Sequence, residues 1–173
     1  MIEIIPAAPE DFTRVRTFYN SLIDEMQHLP TFPGWEKDIY PTDASLLGYI
    51  DRGEMRLLIA DGEIAAAVSL GRHGDGYDRF VWPSGAADGE FGVVGLLAVH
   101  PRFARQGFAK RMLRLALELA REQRLKAVRL DVADNNLPAE QLYVNAGFVY
   151  VDRMTTVFDD GSSMTFHLYE YPL

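Results

Sequence analysis

The sequence contains no cysteine. A disulfide framework, a thiol nucleophile and a cysteine-based zinc site are therefore excluded. No apolar run approaches the ~20 residues that a membrane-spanning helix needs. The N-terminus has no basic segment followed by an apolar one, because Glu3 arrives at once. These absences lead us to expect a cytoplasmic protein without a membrane partner. Histidine is scarce, and the 4 present have no metal-ligand spacing, so no metal is expected. Positive charge is also short, with 17 Lys and Arg against 25 Asp and Glu and a formal net charge of −8. That balance argues against a nucleic-acid surface and favours a neutral or cationic substrate. No internal repeat or low-complexity segment is present.

What is there reads as an ordinary globular chain. It has 173 residues, of which 48% are hydrophobic and 24% charged, enough for one domain over residues 1–173 with a sizeable core. Ile2 to Ile5 reads as an opening strand closed by Pro6. Pro9-Glu10-Asp11 marks a helix start, and Phe12, Val15, Tyr19, Leu22 and Met26 then recur at helical spacing. His28 to Tyr40 is a proline-bearing loop without periodicity. Thr42 is a candidate cap for a second helix that runs through Ile50. Met55 to Ala60 and Glu63 to Leu70 form a hairpin on Asp61-Gly62. Gly71 to Glu90 is a long glycine-bearing loop, the kind that is usually functional or mobile. The apolar run Phe91 to Val99 reads as a strand covered on both faces.

A helix from Gly107 to Glu122 follows, with Phe108, Met112, Leu115 and Leu119 as its expected buried stripe. Lys110, Arg111, Arg114, Glu118 and Arg121 are expected to face water. Ala127 to Val132 reads as a parallel strand after a helical crossover. Asn136 caps the last helix and Gly147 ends it. Phe148 to Phe158 and Met164 to Tyr171 close the chain as a hairpin around Asp160-Gly161.

The chain is organised around Leu96 to Lys110. A buried strand ends at Val99, Pro101 follows, and the chain turns sharply through Arg105-Gln106-Gly107-Phe108-Ala109 into a helix. The first N–H groups of a helix have no internal acceptor. Together with the positive end of the helix dipole they make an anion site suited to a pyrophosphate. Arg105 and Lys110 add positive charge at its mouth.

The pattern L-A-V-H-P-x-x-x-x-Q-G-x-A, beginning at Leu97, is followed by N-x-x-A-x-x-L-Y-x-x-x-G-F, beginning at Asn136. Together these resemble the GNAT superfamily of acyl-CoA-dependent N-acetyltransferases. One position departs from the superfamily pattern. Its leading basic or amide residue falls here on Ala104, with Arg105 one place later. The segments F-P-G-W-x-x-x-I-Y-P-T and R-L-D-V-x-x-x-N-x-P-A are similar to uncharacterised bacterial members.

The resemblance implies an α/β fold with a mixed, mostly antiparallel sheet of six to seven strands and helices on both faces. It implies a parallel fourth and fifth strand that splay apart to admit acetyl-CoA as co-substrate. The pantetheine arm would pair with Leu97, Ala98 and Val99. The pyrophosphate would meet Arg105, Gln106, Gly107, Phe108, Ala109 and Lys110, with Asn136, Ala139 and Tyr143 completing the site. A primary amine on a small-molecule acceptor would attack the thioester directly through a tetrahedral intermediate. Tyr143 would be the general acid that protonates the departing thiolate.

Glu90, just before the fourth strand, is the expected base, acting through water, with a solvated loop acid as the other reading. His100 reads as structural, His73 as a distant candidate, and Asp131 as a residue that orders the last helix. Trp35 and Tyr40 are expected at the acceptor or as core aromatics, and Trp35, Tyr40, Tyr77 and Trp82 could together hold a cation by their ring faces. A non-catalytic acyl-CoA sensor of the same fold is the alternative, another acyl donor is a third option, and a homodimer is left open.

Overall fold

The computed structural model describes residues 1–173. The strands are β1 (Ile2–Pro6), β2 (Met55–Ala60), β3 (Glu63–Gly71), β4 (Phe91–Val99), β5 (Ala127–Ala133), β6 (Val149–Val157) and β7 (Ser163–Pro172). The helices are α1 (Phe12–Met26), α2 (Asp43–Asp51), α3 (Phe108–Glu122) and α4 (Leu137–Ala146). The seven strands form one sheet in the order β1-β2-β3-β4-β5-β7-β6. Every neighbouring pair is antiparallel except β4 and β5, which run parallel. This is the mixed sheet expected from the sequence.

Local chemistry sets the element ends. Asp61 and Gly62 both have positive φ, which gives the β2–β3 hairpin the turn that suits twisted strands. The Thr42 side chain accepts the Ser45 N–H at 3.0 Å and starts α2. The Asn136 side chain does the same for Ala139 at the start of α4, and Gly147 ends that helix at φ 101°. Two details differ from expectation. A short turn over Pro9–Asp11 precedes α1, so the helix proper begins at Phe12. The buried face of α3 is Phe108, Met112, Leu113, Ala116, Leu117 and Ala120, while Leu115 and Leu119 lie at its margin. The inward face is thus turned toward Leu113 and Leu117, with the small Ala116 and Ala120 beside them.

Three apolar layers cover the sheet. α3 and α4 cover one face, with Val68, Leu70, Val94, Val128, Leu130 and Tyr143 in that core. α1 and α2 cover the other face of β1 to β4, with Tyr19, Leu46, Leu57, Ala67, Leu96 and Ala98. No helix covers that same face of β5 and β7. The long loop between β3 and β4 does so instead, burying Tyr77 and Trp82 against Phe91, Ala127 and Leu168. Burying one such large side chain contributes about 1.5–3 kcal/mol. The loop is thus a packed layer, pinned by a buried ion pair. Arg129 Nε donates to Glu170 Oε2 at 2.9 Å, and Ser84 donates to both oxygens of Glu170. Arg129 also stacks on Trp82 and Phe91.

Candidate active site

β4 and β5 pair over only three positions, from Phe91 with Ala127 to Val93 with Arg129. β5 meanwhile stays paired with β7 along its whole length. Beyond Val93 the two halves of the sheet therefore part, and the β4 edge from Val94 to Val99 has no strand partner on that side. A row of unpaired N–H and C=O groups is a template for an extended ligand.

A bulge shapes this edge. Ala67 pairs with Ala98 and Ser69 with Gly95, so Leu96 and Leu97 together oppose Val68. Leu96 takes a φ of 52°, which costs a bulky residue about 1–2 kcal/mol. The bulge shifts the alternation of the strand: Val94 lies in the α3-side core, but Leu96 and Ala98 lie in the α1-side core. Fully buried Tyr19 holds the distortion, donating its hydroxyl to the Leu96 carbonyl at 2.7 Å. Sequence reading placed Tyr19 only on a helix stripe. A buried tyrosine must find a partner for its hydroxyl, and that was the available signal.

After β4 the chain runs through Arg105 (φ 61°) and Gly107 (φ 76°) into α3. The first N–H to find a helical acceptor is that of Arg111, on the Gly107 carbonyl at 3.0 Å. The N–H groups of Gln106 to Lys110 donate to no protein acceptor. A side chain at Gly107 would meet no protein atom within 4 Å, so the space in front of these N–H groups is open. Arg105 and Lys110 are exposed and have no ion-pair partner. This cradle fits a pyrophosphate by N–H geometry and by charge.

Two titratable groups flank the parting strands. Tyr143 on α4 is buried in the α3-side core against Phe148. Burial, and secondarily the charge of Asp131, push its hydroxyl pKa up, so it keeps its proton at neutral pH. No group in the protein bonds this hydroxyl, yet it is not sealed from solvent. Asp131 is the single exposed residue of β5, between buried Leu130 and Val132. It shares a face with Arg129, on the side of the long loop, and so reaches the cleft from the side opposite the α3 core. The Tyr77 hydroxyl donates to Asp131 at 2.7 Å. The surrounding protein desolvates the Asp131 carboxylate and pushes its pKa up, and nearby Asp75 adds to this, while the Tyr77 bond works against it.

The remaining candidates fall out by position. Glu90 accepts from Lys126 at 2.6 Å and from the Ala87 N–H at 3.0 Å, bonds that hold its carboxyl below the usual range. It precedes the paired end of β4, some seven residues or about 23 Å of strand from Leu97. The expectation of Glu90 as base is therefore not supported by its place: the strands have not yet parted there. Trp82 is also corrected. It is buried, donates its N–H to the Tyr77 carbonyl and lies against Arg129, so it offers no face to an acceptor. Tyr77 is buried too, and acts on the cleft only through its hydroxyl on Asp131. Trp35 and Tyr40 remain, edge to face in an aromatic row with Tyr19 and Phe32. His100 is buried, with Nδ1 accepting the Arg102 N–H and Nε2 beside Ser21, which is a structural role. Tyr49 and Ser69, which the sequence did not single out, meet at Gly95 on the cleft floor.

Solved structures share this fold. A GNAT-family acetyltransferase from Streptococcus agalactiae 2603 is 18% identical with a TM-score of 0.77, over 99% of this chain and 95% of that one. The acetyltransferase of GNAT family from Streptococcus pneumoniae is 19% identical with a TM-score of 0.75, over 100% of both chains. Salmonella typhimurium yncA, solved with its cofactor acetyl-CoA, is 17% identical with a TM-score of 0.72, over 99% of this chain and 94% of that one. No curated protein matches in sequence. The sequence pattern of the Acetyltransferase (GNAT) family matches residues 17–148, which include most of α1, the bulged strand, the N–H cradle and Tyr143. This chain belongs to the GNAT family of acetyltransferases.

Proposed function

We propose that the chain transfers an acetyl group from acetyl-CoA to a primary amine of a small-molecule acceptor, by direct attack. The observation that carries this is the parting of β4 from β5 after Val93, with a protonated tyrosine on one side and a carboxylate on the other. Acetyl-CoA supplies the acetyl thioester. The N–H groups of Gln106 to Lys110, with Arg105 and Lys110, hold its pyrophosphate. The free edge at Leu97, Ala98 and Val99 orients the arm, and Asn136 and Ala139 border it at the start of α4. A free N–H of β4 beyond the bulge faces the charge that develops on the carbonyl oxygen.

Two proton transfers need groups in the chain. An alkyl ammonium titrates near 10.4, so freeing its lone pair at pH 7 costs about 4–5 kcal/mol. Asp131 takes that proton, directly or through a water. Its raised pKa makes it a better base than an ordinary aspartate. Tyr143 returns a proton to the departing thiolate, and burial keeps it charged with that proton until the transfer.

The test is thiol release from acetyl-CoA against a pool of amines, with Tyr143→Phe beside the parent. We expect amine-dependent release, and a turnover about 10²-fold lower in Tyr143→Phe with acetyl-CoA affinity retained. Tight binding of acetyl-CoA without release by any amine would replace transfer with sensing. Unchanged turnover in Tyr143→Phe would remove that residue from the proton path.

A further inference from the structure

We propose that the acceptor is a cationic amine with no carboxylate near its reacting nitrogen, of the diamine or amino-sugar type. This rests on the transfer reaction above and names the substrate class it takes.

The acceptor side of the cleft has a one-sided chemistry. Its charged groups are the carboxylates of Asp131 and Asp75, both exposed. They lie close enough to Tyr40 for their charges to be felt at its hydroxyl. Its neutral polar groups are the hydroxyls of Tyr40, Tyr49 and Ser69. The Ser69 hydroxyl is fully buried and closes no hydrogen bond of good geometry, although the Tyr49 hydroxyl lies beside it. Both face Gly95, where a Cβ would come within 3.0 Å of Ser69 Oγ and 3.7 Å of the Tyr49 hydroxyl. Glycine at this point leaves room for the buried Ser69 hydroxyl and for the Tyr49 hydroxyl beside it.

The cations of the same side are held by the chain itself. Arg129 is 3% exposed and bound to Glu170 and the Ala86 carbonyl. Arg52 stacks on the Tyr49 ring but pairs with Glu54 at 2.9 Å. Lys37 pairs with Asp24, and Arg16 lies 2.7 Å from Asp43, although its buried guanidinium nitrogens close no hydrogen bond of good geometry. Arg79 bonds the Gly76 carbonyl and stacks on Phe80. An acceptor carboxylate next to the reacting nitrogen would therefore lie against the like charges of Asp131 and Asp75. A second ammonium or a set of hydroxyls would instead find carboxylates, hydroxyls and the ring faces of Tyr40 and Trp35.

The experiment uses pairs of amines that differ by one carboxylate: cadaverine and lysine, agmatine and arginine, histamine and histidine. Binding of each to the CoA-loaded protein is measured by calorimetry, and thiol release from acetyl-CoA is measured alongside. The inference expects the carboxylate-free member to bind, and where release occurs to react, roughly 100-fold better in each pair. It also expects Asp75→Asn to narrow that ratio several-fold. Selective binding without any thiol release would support the inference and overturn the transfer reaction. Equal binding, preference for the amino acid, or binding by neither member of any pair would overturn the inference, whether or not acetyl-CoA is turned over.

Discussion

Asp131 illustrates how a residue's role follows from its neighbours' departure. In AVRLDV it reads as a buried member of a parallel strand whose role is to order the last helix. It becomes accessible because β4 leaves the sheet after Val93, a non-local event that no local pattern encodes. Its raised pKa fixes the sign of two effects. The proposed transfer requires the carboxylate, so we expect activity to fall as pH drops through a value above the ordinary 3.8. Folding, in contrast, favours the protonated acid. The contribution of Asp131 to stability is therefore fully present below the ordinary carboxylate pKa and is lost as pH rises through the raised one. We predict that Asp131→Asn lowers turnover and removes the acid limb of the pH–rate profile, yet melts at a slightly higher temperature than the parent at pH 7. A variant that loses stability at pH 7 while keeping the acid limb would return Asp131 to a structural role.

The place of Tyr143 on the last helix was legible, because the spacing from Asn136 to Phe148 carries it. Glu90 was misplaced for the opposite reason. Adjacency in sequence to β4 suggested the site, whereas the pairing with Lys126, 36 residues away, decides where it sits.

At the scale of elements, β4 carries the most information and the most strain. Its apolar run and its end at Val99 were readable from composition. Its bulge was not, since Leu96 adopts a positive φ that leucine rarely takes, held by the Tyr19 hydroxyl on its carbonyl. Removing that hydroxyl leaves a buried carbonyl unpaired, at a cost of about 1–3 kcal/mol. In a chain of this size we predict that Tyr19→Phe lowers the melting temperature by about 2–10 °C. We also predict a loss of turnover larger than the loss of acetyl-CoA affinity, because the bulge sets the aim of the β4 N–H groups. Equal losses in both would show that Tyr19 supports only the fold. The β3–β4 loop was recognisable by its length and glycines, but its covering function was not. That depends on Arg129 and Glu170, a buried pair brought together by the β5–β7 ladder, with Arg129 and Glu170 opposite each other in register.

At the scale of the molecule, the order of helices and strands was almost fully legible, because amphipathic spacing, caps and turn residues agree with one another along the chain. The proposed acceptor chamber was less so, since it is assembled from α2, the two long loops, β3, β4 and β5. Charge distribution also acts at this scale. The net charge of −8 opposes an anionic co-substrate, while exposed Arg105, Lys110, Arg111 and Arg114 concentrate positive charge at the start of α3. Binding at that cradle is the premise on which the rest of the account stands. The most direct measurement is a thermal-shift titration of the parent chain and Gly107→Val with acetyl-CoA, CoA and ATP. The account predicts a melting temperature that climbs with the logarithm of acetyl-CoA or CoA concentration but not with ATP, and a folded Gly107→Val variant in which that rise is lost. A parent chain indifferent to acetyl-CoA, or a Gly107→Val variant that responds as the parent does, would contradict it.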